Sequence, residues 1–588
     1  MQNDDSQLDL DEVLKSLISR SDISDLKLEK EWGNSEGYGI RAGASFVLNF
    51  NGSKQEVYIG LNEKFPYSLP EIFLNRNKFG IIPHVMTNGW VCYYNNEGLT
   101  IDYRNPERIV SDSLDILKGK ILSLSEEEMR KERLLEFEFY WNKLPKTTAL
   151  TSLIDIGVEF KEIEVLKNKK RNLKVVCDSA EQVKSYLNTN DLAKDLTLSK
   201  AVYLSLDTNN LDTPDPNNGW QIKTIREIIR NNISSDRYEI VKKKLLKRKV
   251  REKELLLLSF PRDANSKTVI GLEFRNSRKQ YPILDVSEVF DITPIKINRH
   301  DYDFITERGG SSNNLKDKNV LLVGLGSIGG FVASGLADCG MRKLTVVDKE
   351  NLEIGNVYRH LLGRSSVGDP KSKAVKNYLE REYPYLNISE KKGDIIDLIK
   401  TESIDLRVFD LIIVATGHPA TELHLNEIFR KLNLKKVIYT WLEPFDIGGQ
   451  MLKLDYSKRG CYNCIYDFEE IEGKHELINQ TSFLKSGQNF EKDLEGCGTS
   501  FSPYGVNSAK KTASLVIDQA VDFLNNQNLE PMILSWKGKS DQIHKNGHEV
   551  SKRYHLSDEE LKLGGKQFVR ENCEVCSKKR KGRVYTTK

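Results

Sequence analysis

Eight cysteines are spread over the chain, and their settings divide them by the chemistry they could do. Cys461-x-x-Cys464 and Cys573-x-x-Cys576 have the spacing at which a tight turn presents two thiolates to one ion. Two such pairs make a tetrahedral four-sulfur site with no open position for catalysis, which points to structural zinc. The pairs stand 109 residues apart, so the ion would clip the C-terminal tail to the chain before it. Cys92 ends the run Gly89-Trp90-Val91-Cys92 after a loop. There a thiol would sit in a shallow, partly exposed groove from which a thiolate could attack, a half-buried core cysteine being the alternative. Cys497 lies between Gly496 and Gly498 in a polar stretch just before a helix, the setting of a flexible segment. Cys177, in a strand-like run, and Cys339, near the end of an apolar helix, read as buried and inert.

A second constellation begins at Lys318 with KNVLLVGLGSIGG. Gly324-x-Gly326-x-x-Gly329 follows a strand and opens a helix, so the backbone can approach a phosphate whose charge the helix N-terminus favours. The motif alone suits NAD, a flavin or ATP. Asp348 ends the next strand, 19 residues after Gly329, where an acid can bind ribose hydroxyls. Asn356, Arg359 and Lys371 then cluster within LEIGNVYRHLLGRSSVGDPKSKA. Cationic and amide groups so close to the nucleotide suit a triphosphate and its departing pyrophosphate better than a nicotinamide ring.

The elements that must position these groups fall into three parts. Residues 1–150 read as α+β, with an amphipathic opening in DEVLKSLIS and the strands SFVLNF and QEVYIGL joined by Asn51-Gly52. A helix over about Ile109–Leu124 and another from Ser125, whose first turn is acidic, follow. Residues 151–298 form a linker domain of strand-like runs and a loop at TPDPNNGW, and its basic run VKKKLLKRKVREKE reads as a helix with a solvated face. Residues 299–588 alternate strand, glycine turn and helix, which implies a parallel α/β sheet. The strands are NVLLVG, KLTVVD, DLIIVATG and KKVIYTWL, and a helix runs over about Ser508–Leu524.

At 588 residues, 39% hydrophobic and 29% charged, the chain fits a soluble protein of several domains. No apolar run reaches eighteen residues and the acidic N-terminus has no apolar signal core, so a membrane span and secretion are not expected, and the setting is cytoplasmic. A formal net charge of +3 gives no reason to expect nucleic acid.

From about Arg299 to Cys576 the chain resembles the ThiF/MoeB/ubiquitin-activating family, in which VVDKENLEIGNVYRH matches a ribose-binding acid followed by N-x-x-R, and VGDPKSKA the lysine segment. The resemblance implies a Rossmann-like adenylation domain using ATP and Mg2+. It places Asp348 on the ribose and Asn356, Arg359 and Lys371 on the phosphates, with Lys373 the alternative to Lys371. The family holds magnesium partly through an acid in a C-T-D-N-like segment, which reads Ala415-Thr416-Gly417-His418 here, so either the metal falls to another acid, such as Asp410 or Glu422, or activity is compromised. The same resemblance implies the distant zinc-binding pairs, a homodimer with an arginine contributed across it (Arg299 or Arg308), and Cys497 as an acyl-accepting thiol in a crossover loop.

Over about residues 15–145, F-P-x-x-x-P-x-I followed by Ile82-Pro83-His84 and Cys92 resembles the ubiquitin-conjugating fold. That family has His-Pro-Asn here, its Asn eight positions before the cysteine, where His84 now stands. A histidine can donate a hydrogen bond to an oxyanion and also act as a base. The order of the domains is similar to the bacterial fusions of CBASS antiphage systems. That resemblance implies adenylation of a partner's C-terminal carboxylate, in that family a cGAS/DncV-like nucleotidyltransferase, then relay from Cys497 to Cys92 and conjugation to a target amine. A small ubiquitin-like protein as substrate, or a non-catalytic nucleotide-binding scaffold, are the alternative expectations.

Overall fold

A computed structural model describes residues 8–577, apart from 34, 76–81, 87, 95–97, 169–172, 188–195, 212, 276–279, 285–289, 311–314, 472, 491, 494–499, 502 and 527–529. The chain divides into two compact units. One comprises residues 1–150, 156–163 and 199–298; the other comprises 151–155, 164–198 and 299–588.

The first unit opens with the helix Leu10–Lys15 and a four-stranded antiparallel meander, Ile23–Leu28, Ile40–Phe50, Ser53–Asn62 and Glu71–Leu74, in sequential order. Asn51 (φ +49°) and Gly52 (φ +78°) make the two-residue turn between the long central strands, and the positive φ at both positions matches the strands' right-handed twist. Alternate residues Ala44, Phe46 and Leu48 face a core closed by Val110, Leu114 and Leu117 of the helix Pro106–Leu117. After the sheet the chain turns back in short bridges, Phe73 to Trp90 and Val85 to Val91. Gly89 is required there: its φ is +88°, and a Cβ would lie 2.4 Å from the Leu74 carbonyl oxygen.

The helix from Ser125 forms with the reciprocal Ser125–Glu128 cap, but it breaks at Glu136 into Glu126–Leu135 and Phe137–Asn142. Phe137 and Trp141 cause the break, because both are buried against the strands of residues 199–298, among Val202, Leu258, Phe260 and Ile270. The basic run departs from a continuous helix for a similar reason. The helix Ser235–Leu246 stops before Arg248, because the strand Lys253–Pro261 begins with a fully buried Glu254 that pairs with Arg248 at 3.1 Å. An unpaired buried carboxylate would be costly, and the pairing sets the register of that turn.

The second unit is built on a seven-stranded sheet in the order Asn387–Lys392, Lys343–Asp348, Asn319–Val323, Leu411–Val414, Val437–Leu442, Gly448–Leu454 and Met532–Lys537. The first five strands run parallel, and the sixth runs antiparallel to both the fifth and the seventh. Successive residues of Asn319–Val323 point to opposite faces, and both are covered. Val320 and Leu322 pack under the helices Ser327–Asp338 and Val506–Asn525, while Leu321 and Val323 pack under Pro419–Leu432. A strand buried on both sides reads as an unbroken apolar run, which is why NVLLV is legible. No helix among the described residues is long and apolar enough to cross a membrane.

Candidate functional site

Cys92 is exposed and lines a cavity of about 710 Å3 with His84, Glu71, Trp90, Tyr94, Lys120 and Glu132. Its amide donates to the His84 carbonyl at 2.8 Å. Partial burial of the sulfur, and then the nearby Glu136 carboxylate, hold the thiol above its ordinary range. Such a thiol attacks less readily but is also a poorer leaving group, so a thioester formed on it persists. His84 stands in the same cavity with both ring nitrogens occupied, Nδ1 at 2.8 Å from Glu136 and Nε2 at 3.2 Å from Glu132. The Glu136 bond, outweighing burial, raises the histidine's pKa. Cys92 and His84 stand out in the sequence, whereas Glu132 and Glu136 carry no signal there.

The glycine turn lines a second cavity, of about 260 Å3, at the C-terminal ends of the parallel strands. Gly324 (φ +89°) and Gly326 line it with Asp348, Glu350, Lys371, Asp394 and His418. Gly329 lies behind the turn and serves packing, since a Cβ there would come within 1.9 Å of the Gly324 carbonyl oxygen. Asp348 accepts the amides of Leu325 at 2.6 Å and Glu350 at 2.8 Å, so it also ties the turn to the next strand. His360 braces the turn from beneath. Its Nε2–H donates to the Leu325 carbonyl at 2.6 Å and its Nδ1 accepts from Leu362 at 3.0 Å, which fixes a neutral tautomer in keeping with a pKa lowered by burial.

Lys371 and Lys373 separate cleanly. Lys371 is only 5% exposed, lines the cavity and lies 2.5 Å from Glu350, whereas Lys373 is exposed. Asn356 and Arg359 do not line this cavity. Asn356 accepts the Glu353 amide at 3.1 Å, and Arg359 lies 5.3 Å over the Tyr504 ring, whose hydroxyl meets Ser327 Oγ at 2.7 Å. Tyr504, like His360, carried no signal in the sequence.

Of the two acids considered for magnesium, Asp410 precedes its strand, at the end opposite the cavity, and accepts the Asn319 amide. Glu422 is buried and folds back onto the Thr416–Gly417 turn, accepting from Thr416 Oγ1 at 2.7 Å and the Gly417 amide at 3.0 Å, and from the Tyr462 hydroxyl. Burial raises its pKa against these bonds. The carboxylates that line the cavity are Asp348, Glu350 and Asp394. Arg299 closes its fork on Asp301 at 2.8 and 2.9 Å, while Arg308 is exposed at the end of the helix Tyr302–Arg308.

Cys461, Cys464, Cys573 and Cys576 are all buried, with their ligand atoms within 4.8 Å of one another. Neighbouring sulfurs lie 3.9, 3.7 and 3.3 Å apart. A tetrahedral ion with Zn–S bonds of about 2.3 Å spaces its sulfurs about 3.8 Å apart, so the group fits zinc. Among the described residues it is the one cluster of three or more such side chains close enough to hold an ion. Tyr462, between the first two cysteines, links this cluster through Glu422 to the Thr416–Gly417 wall of the glycine-turn cavity. Cys177 is buried, its thiol pushed up to about 12 by burial, and Cys339 is half-buried. Cys497 lies outside the described residues.

Residues 300–544 match the model of the ThiF family, and residues 40–150 match prokaryotic E2 family B. The chain is 34% identical to the protein y4oA of Sinorhizobium fredii over 26% of its length and 28% of that protein. It is 31% identical to the ATP-dependent ubiquitin transferase-like protein Cap2 of Enterobacter hormaechei over 20% and 19% of the two chains. To the Cap2 of Pseudomonas aeruginosa it is 25% identical over 41% and 42%. The chain thus spans less than half the length of each of these relatives. Among solved structures, E. coli MccB with ATP is 16% identical, covering 45% of this chain and 68% of that one with a TM-score of 0.31.

Proposed function

We propose that this chain, a fusion of a prokaryotic E2-type domain with a ThiF-type domain as in CBASS systems, is an ATP-dependent enzyme that activates a carboxylate and conjugates it to an amine. One observation carries the reading: the chain pairs an exposed thiol in a roomy cavity with a separate cavity bounded by a glycine turn, an acid and a buried lysine. The substrate is a protein whose C-terminal tail supplies the carboxylate. A cGAS/DncV-like nucleotidyltransferase primed for antiviral defence is the favoured candidate, with a small ubiquitin-like protein the second.

The Gly324–Gly326 turn and the N-terminus of the helix Ser327–Asp338 would receive the triphosphate, with Asp348 toward the ribose and Lys371 toward the phosphates. Attack by the tail carboxylate on the α-phosphate forms the acyl-adenylate and releases pyrophosphate. Mg2+, with Glu350 and Asp394 the acids offered to it, would supply charge neutralisation on the triphosphate. Asn356 and Arg359 sit on the segment following Asp348, from which they would support the leaving charge. Cys497 then displaces AMP to form a thioester, Cys92 exchanges with it, and an amine on the target displaces the Cys92 thiolate to leave an amide. Zinc in the four-cysteine cluster, a homodimer and a cytoplasmic setting complete the reading.

Its test is the exchange of labelled pyrophosphate into ATP by the full chain, with and without a partner bearing a free C-terminal carboxylate. Exchange that requires the partner's carboxylate supports the reading. A chain that binds ATP yet never exchanges with either partner class is a nucleotide-binding scaffold instead.

A further inference from the structure

Cys92 stands on no regular element, and its place is set by the positive-φ turns at His84 and Gly89. The amide of Cys92 hangs from the His84 carbonyl at 2.8 Å, and that of Val91 from Ile72 at 2.8 Å. His84 itself sits at φ +64°, a left-handed conformation that is strained for a residue other than glycine and persists only when its surroundings impose it. The imposing group is one side chain. Glu136 accepts the His84 backbone amide at 3.0 Å through Oε2, faces Nδ1 at 2.8 Å through Oε1, and is itself held by the Tyr140 hydroxyl at 2.6 Å. Glu132 adds a single contact, at 3.2 Å, to Nε2. Glu136 occupies the break between two helices, and Phe137 and Trp141 anchor the second helix in the core, so the carboxylate is a fixed point.

We propose that Glu136 is a positioning residue of the Cys92 site: by gripping both the backbone amide and the ring of His84, it holds the turn from which the reactive cysteine is suspended. The proposal rests on the reading of Cys92 as thioester carrier. It also changes the role of His84. With a carboxylate facing each nitrogen, the ring can donate from both only as the cation, and in that form it has no lone pair with which to take a proton from an attacking amine. The other titratable groups around it are Cys92, Glu71, Tyr93, Tyr94 and Lys120 lining the cavity, and Tyr140 behind Glu136.

The experiment loads Cys92 of the full chain in a single turnover and then discharges it to hydroxylamine, which is already unprotonated from neutral to alkaline pH. Glu136→Gln keeps an acceptor for the backbone amide but loses the charge; Glu136→Ala loses both. Both variants are expected to load Cys92 more slowly, because the same turn carries the thiol, and once loaded their discharge slows about tenfold in Glu136→Gln and about 100-fold in Glu136→Ala, the scale on which misplacement of a reacting group acts. The parent's discharge rate should fall as pH rises through the His84 titration, and in Glu136→Gln that fall should move to lower pH. A merely structural role would not move this profile. Glu136→Gln discharging like the parent at every pH overturns the proposal alone, as does a parent rate that rises through the same titration. A parent that never loads Cys92 overturns both the proposal and the reading beneath it.

Discussion

Lys371 and Lys373 are two residues apart, and only packing tells them apart. Lys371 opens the helix Lys371–Glu382, lies buried on the cavity wall and is aimed by Glu350, whose carboxyl it holds below the usual range against the effect of burial. Lys371→Ala should therefore lower kcat/KM for pyrophosphate exchange by roughly 100- to 1000-fold, the cost of removing one donor aimed at developing charge. Lys373→Ala should leave exchange within about threefold, because an exposed charge interacts weakly. At the thiol site the sign of the pH dependence is fixed by two groups. His84 is raised from 6.5 by Glu136, so its contribution to stability is complete below pH 6.5 and is lost as pH rises through the higher folded value. Burial pushes Glu136 up, but His84 and Tyr140 leave it lowered, so its contribution is lost as pH falls through that depressed value. Glu136→Gln should lower stability by about 1 kcal/mol between these limits, a part-exposed charged hydrogen bond being worth that much, and the difference in Tm should close at either end.

Most of the elements were legible because their sequence periods and caps agree with what packs on them. NVLLV, KLTVVD and LIIV are continuous apolar runs, and each is a parallel strand covered on both faces. Asn51-Gly52 fixed its hairpin, and Ser125 with Glu128 fixed the start of its helix. What could not be read was where two of the helices stop. The ends at Leu246 and Leu135 are set by the buried Arg248–Glu254 pair and by Phe137 and Trp141, partners distant in sequence that leave no local mark. The candidate sites divide likewise: thiols and glycines announce themselves by type and spacing, but Glu132, Glu136, His360 and Tyr504 matter only through what they touch. Gly89→Ala tests one such element. A Cβ pressed against the Leu74 carbonyl at positive φ should cost about 1–3 kcal/mol and lower Tm, with Cys92 loading reduced because the same turn carries the thiol.

At the scale of the whole molecule, the four-cysteine cluster bears on more than the C-terminal tail. Its Tyr462 reaches Glu422, and Glu422 holds the Thr416–Gly417 turn that walls the glycine-turn cavity. Metal analysis of the purified chain should find one zinc per chain. Removing it with a chelator should lower both Tm and the rate of pyrophosphate exchange, since zinc in a closed thiolate site contributes directly to folding. Tyr462→Phe, with the metal retained, should reduce exchange while leaving the zinc content unchanged. Exchange that survives complete removal of zinc would disconnect the cluster from the nucleotide cavity.

The central claim is that a carboxylate energised by ATP ends up on the sulfur of Cys92. The most direct measurement incubates the full chain with ATP, magnesium and a carboxylate-bearing partner, separates the products without reductant and maps the joined residue by peptide mass spectrometry. The account predicts a thiol-sensitive adduct at Cys92 that requires ATP and shifts to Cys497 when Cys92 is changed to alanine. An adduct that forms without ATP, or none on Cys92 while exchange proceeds, would contradict it.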